Sequence, residues 1–212
     1  MKRILHICNS SFYLQNFLKT HIDDLVNNNY EVHVICNIED KKFSFNERVI
    51  LHNVKFPKSI SPFEFLRSII KVNKLVKSYN FDCVISHNRN SSLVGRIATY
   101  FSEVPINLYF AHGFYFHDNQ NFFSYFMSIQ IERFLQKITS HTISQSAEDI
   151  NLMVEKKYID KEKITHVGNG ININKFRPVI DNTQLKKKIG LPVDSFIITG
   201  VGRLVKGKGF QN

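Results

Sequence analysis

The sequence predicts an α/β fold, a Rossmann-like parallel sheet flanked by helices. Short apolar runs alternate with longer amphipathic stretches through most of the chain, the pattern of strands joined by crossover helices. Several of the apolar runs are too short to be anything but strands, and the long stretch Phe63 to Tyr79 carries apolar residues at helical spacing.

Taken in order, Arg3 to Cys8 reads as a first strand. Lys2 and Arg3 imitate the head of an export signal, but Ile4 to Cys8 is shorter than the roughly 7–15 apolar residues such a signal uses. A helix is expected over Asn16 to Asn28, then strands Glu31 to Asn37 and Val49 to His52. Phe63 to Tyr79 places Leu66, Ile69, Ile70, Leu75, Val76 and Tyr79 on one side and Lys71, Lys74 and Lys77 on the other, so it packs as a surface helix. Pro62, after Ser61, fits its first turn, where a missing N–H costs nothing.

Strands follow at Cys83 to His87, Ile106 to Ala111, Thr139 to Ile143 and Ile164 to Val167. Helices are expected at Ser91 to Phe101, Asn121 to Lys137 and Ser146 to Lys156. The alternation breaks where Gly168, Asn169, Gly170, Pro178, Gly190 and Pro192 cluster around one short basic helix, Thr183 to Ile189, which reads as a connector. After it comes one strand, Phe196 to Val201, with a glycine- and lysine-rich loop. A lone strand cannot form a core, so the sequence looks cut as a second α/β domain begins. The division expected is 1–178 for the first domain and 179–212 for a linker and the start of the second.

Composition narrows the classes further. The chain has 212 residues, 43% of them hydrophobic and 19 of them Phe, enough for a sizeable core without disulfide staples. Cys8, Cys36 and Cys83 lie far apart with no Cys-x-x-Cys spacing and read as reduced, buried, cytosolic thiols. No stretch approaches the roughly 18–20 uninterrupted apolar residues that span a bilayer. Lys and Arg number 28 against 18 Asp and Glu, a formal charge of +10. The cations are dispersed rather than gathered in a recognised module, so nucleic-acid binding ranks last.

Four segments carry candidate chemistry. Val201 to Phe210 sets Gly202, Arg203 and Lys208 just after an expected strand, where backbone N–H groups can approach a phosphate and cations can balance it. The same composition also suits a solvated tail. His112 and Gly113 follow a strand end, where ligands of open α/β sheets sit. His112 is placed to bond a sugar hydroxyl or carry a proton, although a lone histidine is often structural. His87-Asn88-Arg89-Asn90 ends another strand in the same way, a weaker signal because strand-to-helix turns commonly use Asn and Ser as caps. Asn9, Ser10 and Ser11 occupy the first strand-to-helix turn without the glycines of a dinucleotide fingerprint. No Asp-x-Asp pair of the kind that holds a metal on a nucleotide diphosphate occurs, which disfavours metal-dependent transfer.

Phe122, Phe123, Tyr125, Phe126, Ile129, Phe134 and Leu135 make one very aromatic helix beside the His112 loop. Most of these rings are expected in the core. The alternative is a partly exposed face that, with the net positive charge, rests on an anionic membrane or a lipid-linked acceptor.

In their order, Gly168-Asn169-Gly170 to Pro178, then Val201-Gly202-Arg203-Leu204 and Lys208-Gly209-Phe210, resemble the domain junction of family 4 glycosyltransferases of the GT-B fold. The match extends upstream through Lys2 to Ile7, Ser86-His87-Asn88, Ala111 to Phe114, Ile131-Glu132-Arg133 and Ser144 to Asp149, and looks most like the bacterial capsule and exopolysaccharide branch. The resemblance covers essentially the whole chain but only the N-terminal half of a usual member. It implies two Rossmann-like domains, the first chiefly for acceptor and the second for nucleotide-sugar, with transfer between them and retention of configuration.

By that resemblance His112 lines the reaction centre. Arg203, Lys208, Gly202, Asn169 and Gly170 serve the donor, and Asn9, Ser10, Ser11, His87, Asn88, Gly113 and Phe114 serve the acceptor. The first loop lacks the glycine pair seen in many relatives, and Tyr115 stands where close relatives often have a second histidine. The implied activity moves a hexose-type sugar from a nucleotide-sugar to a lipid-linked or polysaccharide acceptor, without a cofactor or a metal. The implied place is the cytoplasm, with peripheral contact at the inner face of the plasma membrane. A non-catalytic acceptor-binding module and a sugar-nucleotide epimerase of the same fold are the alternatives.

Overall fold

The computed structural model describes residues 1–40, 43–57, 61–114, 121–171, 173–174, 176–178, 182–202, 204 and 209–210. Two compact units divide the chain, Met1–Asn169 and Gly170–Asn212. The first ends earlier than the sequence boundary at 178.

The first unit is a seven-stranded, wholly parallel sheet in the order β3-β2-β1-β4-β5-β6-β7. Its strands are β1 (Arg3–Ser10), β2 (Glu31–Asn37), β3 (Val49–Asn53), β4 (Cys83–His87), β5 (Ile106–Ala111), β6 (His141–Ser144) and β7 (Ile164–His166). The chain leads outward from β1 through β2 to β3, then crosses back to β4 and continues to β7. The order therefore reverses between β1 and β4, and a crevice opens beyond their carboxyl ends.

The chain leaves β1 through α1 (Ser11–Tyr13), a π-helical segment (Leu14–Leu18) and α2 (Lys19–Asn27), so helix starts earlier than the spacing from Asn16 suggests. Ser10 initiates it by accepting the Tyr13 N–H at 3.3 Å. The remaining helices of this unit are α3 (Pro62–Tyr79), α4 (Arg89–Tyr100), α5 (Phe122–Lys137) and α6 (Ala147–Glu155). Ser61 caps α3 ahead of Pro62, and Asn80 ends it in the left-handed conformation.

Central strands bury both faces. Leu5, Ile7, Ile35 and Val84 pack with Val72 and Val76 of α3 and Val94 and Ala98 of α4. On the opposite face Cys8, Val32, Val34 and Cys36 meet Leu14, Leu18, Ile22 and Val26. A smaller cluster joins Ile129 of α5, Met153 of α6, Ile159 and Ile164. Burying each such aliphatic side chain contributes about 1.5–3 kcal/mol, which pins the helices that surround the crevice.

Four expectations change. The strand expected from Thr139 begins at His141, because the Thr139 hydroxyl donates to the Leu135 carbonyl at 2.7 Å and stays with the end of α5. The strand expected over Phe196 to Val201 is not formed. In the second unit the regular element among the described residues is α7 (Thr183–Lys188), so this segment has no neighbouring strand to complete its ladder, and Phe196 and Val201 are each 92% exposed. Most rings of α5 are not core: Ile129 and Leu135 face inward while Phe122, Phe123, Phe126 and Phe134 are exposed. Cys83 is only half-buried, whereas Cys8 and Cys36 are buried, and all three thiols are free.

Candidate functional site

A cavity of about 300 Å³ opens at the reversal of strand order, lined by Asn9, Asn88, Arg89, Asn90, Tyr109, His112 and Gly113. They gather at the carboxyl ends of three strands. Asn9 lies next to the end of β1, Asn88 joins β4 to α4, Arg89 and Asn90 open α4, Tyr109 lies in β5, and His112 and Gly113 follow β5.

Hydrogen bonds between these turns hold the rim. Asn9 N–H donates to Asn88 Oδ1 at 3.1 Å, and Asn9 Oδ1 accepts from the Ser91 N–H at 3.3 Å, capping α4 from a different strand. Asn88 adopts φ 58°, a turn that a short amide side chain tolerates better than a branched one. Asn90 Nδ2 donates to the Pro57 carbonyl at 2.7 Å. On the far side, the Phe114 N–H donates to Asp149 Oδ2 at 3.3 Å, and Ser146 caps α6 by accepting the Asp149 N–H at 3.0 Å. Gly113, at φ 121°, makes the sharp turn between them, a conformation that L side chains rarely adopt.

Behind His112 stands a ladder of stacked rings on one face of the sheet. His6 of β1 and His87 of β4 lie 5.3 Å apart, His87 and Phe110 of β5 5.6 Å, and Phe110 and His112 4.8 Å between centroids. Hydrogen bonds run through the same rings. His112 Nδ1 lies 3.0 Å from Gln145 Oε1, an atom that can only accept, so Nδ1 carries the proton and Nε2 the lone pair. That lone pair receives the Tyr13 hydroxyl and, at 3.4 Å, His87 Nδ1–H. His87 Nε2 in turn accepts from His6 Nδ1–H at 3.0 Å. His6 Nε2 then ends the relay as a buried acceptor without a partner among the described residues.

Burial keeps the whole relay neutral. It lowers His6 to about 3, with nearby His21 adding to the effect. His87 falls well below its ordinary value through burial and the neighbouring imidazoles. His112 is lowered by burial, while the bond to Gln145 opposes the change. At neutral pH His112 is therefore an uncharged imidazole, able to accept from a hydroxyl.

Tyr109 forms the floor, and a buried ion pair supports it. Arg96 of α4 grips both oxygens of Glu132 of α5 at 2.9 and 3.0 Å and lies 4.1 Å over the Tyr109 ring. Burial and Glu132 raise the Tyr109 phenol, so it remains protonated. A second, narrower crevice of about 50 Å³ between α4 and α5 has Arg89, Arg96, Tyr109, Ile131, Glu132 and Leu135 among its walls.

The structure brings four of the sequence candidates, Asn9, Asn88, His112 and Gly113, around one cavity. Ser10 is a helix cap, Ser11 is buried, His87 lies behind His112, and Phe114 packs into the α5–α6 cluster. Asn169 and Gly170 are exposed, on either side of the division between the two units. Gly202 lies against the Phe210 ring, whose Cε2 would meet an added Cβ at 2.9 Å. Arg203 and Lys208 lie outside the described residues, as does Tyr115. Arg89 and Asn90, also in the cavity wall, belong to the His87-Asn88-Arg89-Asn90 strand end that the sequence singles out. Sequence reasoning missed Tyr13, which precedes the helix expected from Asn16, and Tyr109, which read as a strand residue.

Known proteins align with this architecture. A relative from Escherichia coli, "UDP-Gal:alpha-D-GlcNAc-diphosphoundecaprenol alpha-1,3-galactosyltransferase", is 30% identical over 189 residues, covering 85% of this chain and 47% of the relative. A second, from Staphylococcus aureus, is the "Capsular polysaccharide biosynthesis glycosyltransferase CapM", 27% identical over 99% of this chain and 55% of the relative. The chain thus spans about half the length of the curated relatives it matches. Among solved structures, Anabaena Alr3699/HepE in complex with UDP matches with TM-score 0.60 at 14% identity, over 90% of this chain and 50% of that one. The UDP-GlcNAc 2-epimerase from Methanocaldococcus jannaschii matches with TM-score 0.59 at 16% identity, over 80% and 46%, so the fold alone is common to transferases and epimerases. What separates them is the sequence itself: residues 14–175, which include every wall of the cavity except Asn9, match the model of Glycosyltransferase Family 4, and it is to this family that the chain belongs.

Proposed function

We propose that this chain forms the acceptor side of a glycosyltransferase that moves a hexose-type sugar from a nucleotide-sugar to a lipid-linked saccharide in bacterial surface-glycan synthesis. The observation that carries the reading is the cavity at the strand reversal, where three amide side chains and an uncharged imidazole converge. Amides and a lone-pair nitrogen are the groups that recognise sugar hydroxyls without a charge mismatch. The Escherichia coli relative's name, with its saccharide on a diphosphoundecaprenol, supplies the acceptor class.

In this reading an acceptor hydroxyl takes the place of the Tyr13 hydroxyl at His112 Nε2, which accepts from it and fixes its direction toward the sugar donor. Donor-side charge falls to Arg203 and Lys208, which by resemblance balance the departing diphosphate in place of a divalent metal. Transfer retains anomeric configuration, as the family resemblance implies. The division 1–178 and 179–212 remains our reading of acceptor-side domain and linker. The exposed rings of Phe122, Phe123 and Phe126 face a lipid surface. Co-sedimentation with anionic vesicles that Phe122→Ser with Phe126→Ser leaves unchanged sinks that last point.

The protein carrying this chain, incubated with UDP-galactose or UDP-glucose and GlcNAc-diphosphoundecaprenol, is expected to yield a lengthened glycolipid, and His112→Ala to slow it about 100-fold. The anomeric coupling of the product reads out retention. A nucleotide-sugar recovered as its epimer without glycolipid assigns the protein to epimerases. Acceptor binding with no nucleotide affinity in the whole protein assigns it to non-catalytic modules.

A further inference from the structure

We propose that Tyr13 is an internal stand-in for the acceptor: its hydroxyl holds the place of a saccharide hydroxyl between His112 and Asn88, and the site opens when an acceptor displaces it. This rests on the acceptor reading above and adds to it a gate that the ligand must open.

The Tyr13 hydroxyl donates to His112 Nε2, the lone pair that the neutral imidazole offers once Nδ1–H has gone to Gln145. The two rings meet edge to face with centroids 5.3 Å apart. Burial raises the phenol, so it keeps the proton it donates, while a side-chain hydrogen bond with Asn88 works the other way. That sign belongs to an N–H donating to the phenol oxygen. The Asn88 amide has its Nδ2 to give, since its Oδ1 already accepts from the Asn9 N–H at 3.1 Å. One hydroxyl thus donates to an imidazole and accepts from an amide, the two ways in which a sugar hydroxyl bonds. Both partners, His112 and Asn88, line the cavity, so the phenol takes up polar groups that a ligand there would use.

The segment around Tyr13 suits a ring that turns on a fixed backbone. Ser10 accepts the Tyr13 N–H at 3.3 Å, and Leu14 and Leu18 anchor the π-helical turn that follows by being buried. Turns of this kind recur at functional sites. On its other side the Tyr13 ring stacks on Phe17 at 5.1 Å, and Phe17 is 65% exposed, so the ring has solvent close by to turn toward. Swinging the phenol away breaks two neutral hydrogen bonds, and the incoming hydroxyl remakes them. The seated phenol therefore weakens acceptor binding in proportion to how seldom it leaves.

Affinities of the native chain and of Tyr13→Phe for GlcNAc-diphosphofarnesol, with UDP as the control, would be measured by calorimetry. Losing the hydroxyl frees His112 and Asn88, so Tyr13→Phe is expected to bind the glycolipid about threefold to tenfold more tightly, with UDP unchanged. In a His112→Ala background the same substitution should change affinity by less than about twofold, because the phenol has lost its acceptor. NOEs between the Tyr13 and His112 rings should be present in the free chain and vanish at saturation with the glycolipid. Melting curves check that each variant folds. Equal or weaker glycolipid binding by Tyr13→Phe overturns the gate and leaves the acceptor reading standing, as do ring NOEs that persist at saturation. A gain confined to UDP also overturns it, since the phenol then holds a place that belongs to the donor. If neither the native chain nor Tyr13→Phe binds the glycolipid, the gate and the acceptor reading fall together.

Discussion

Gln145 Oε1 accepts from His112 Nδ1 at 3.0 Å, and this single contact determines the direction of the relay behind it. With Nδ1 protonated, His112 offers its lone pair at Nε2, His87 donates to it, and His6 donates to His87.

Placing a carboxylate at that position reverses the electrostatics. Gln145→Glu should raise His112 by at least about one pH unit, since an adjacent negative charge favours the imidazolium. Ring-proton titration by NMR measures it; an unshifted His112 would show that residue 145 does not reach Nδ1.

The neutral relay makes the fold sensitive to acid. His6, His87 and His112 titrate lower in the folded chain than in the unfolded one, so below about 6.5 the unfolded state takes up protons that the native state refuses. Their contribution is intact above that pH and is lost progressively as pH falls, for His6 down to about 3. Urea melts should show a drop between pH 7 and pH 5 of which His6→Leu removes about 2 kcal/mol. Equal pH slopes in the two proteins would contradict this.

Removing one partner of the buried ion pair should be worse than removing both. Glu132→Gln leaves the Arg96 charge, 1% exposed, without its carboxylate and is expected to cost about 3–5 kcal/mol in urea melts. Arg96→Met with Glu132→Leu should recover most of that stability. A double variant as unstable as the single would show that shape, not charge, governs the site.

Gly95 lets α4 approach the sheet closely. A Cβ there would collide with Ser86 Oγ and sit 3.1 Å from Ile7 Cδ1. Gly95→Ala should destabilise by about 1–3 kcal/mol despite better helix propensity. Ser86 Oγ is buried without a partner among the described residues, so adding Ser86→Ala should restore much of the loss. Additive effects of the two substitutions would argue against the contact.

The sheet was legible because parallel strands buried on both faces leave short apolar runs such as Glu31 to Asn37, and because Ser61-Pro62 marks a helix start by its own chemistry. Phe196 to Val201 carries the same apolar signal, yet pattern alone does not supply the neighbour that a strand requires. His112 and Asn88 were found by their position after strands. The ladder from His6 to His112 was not, since residues 6, 87 and 112 meet only through the order β1-β4-β5, which periodicity does not encode. The surface exposure of Phe122 and Phe126 likewise depends on which side of α5 the sheet covers.

The central claim is that the cavity at the strand reversal receives a sugar acceptor. Isotope-labelled chain titrated with GlcNAc-diphosphofarnesol tests it by NMR. The account predicts saturable shifts in the side-chain amides of Asn9, Asn88 and Asn90 together with the His112 ring. Those signals staying fixed while others move, or responding to UDP alone, would contradict it.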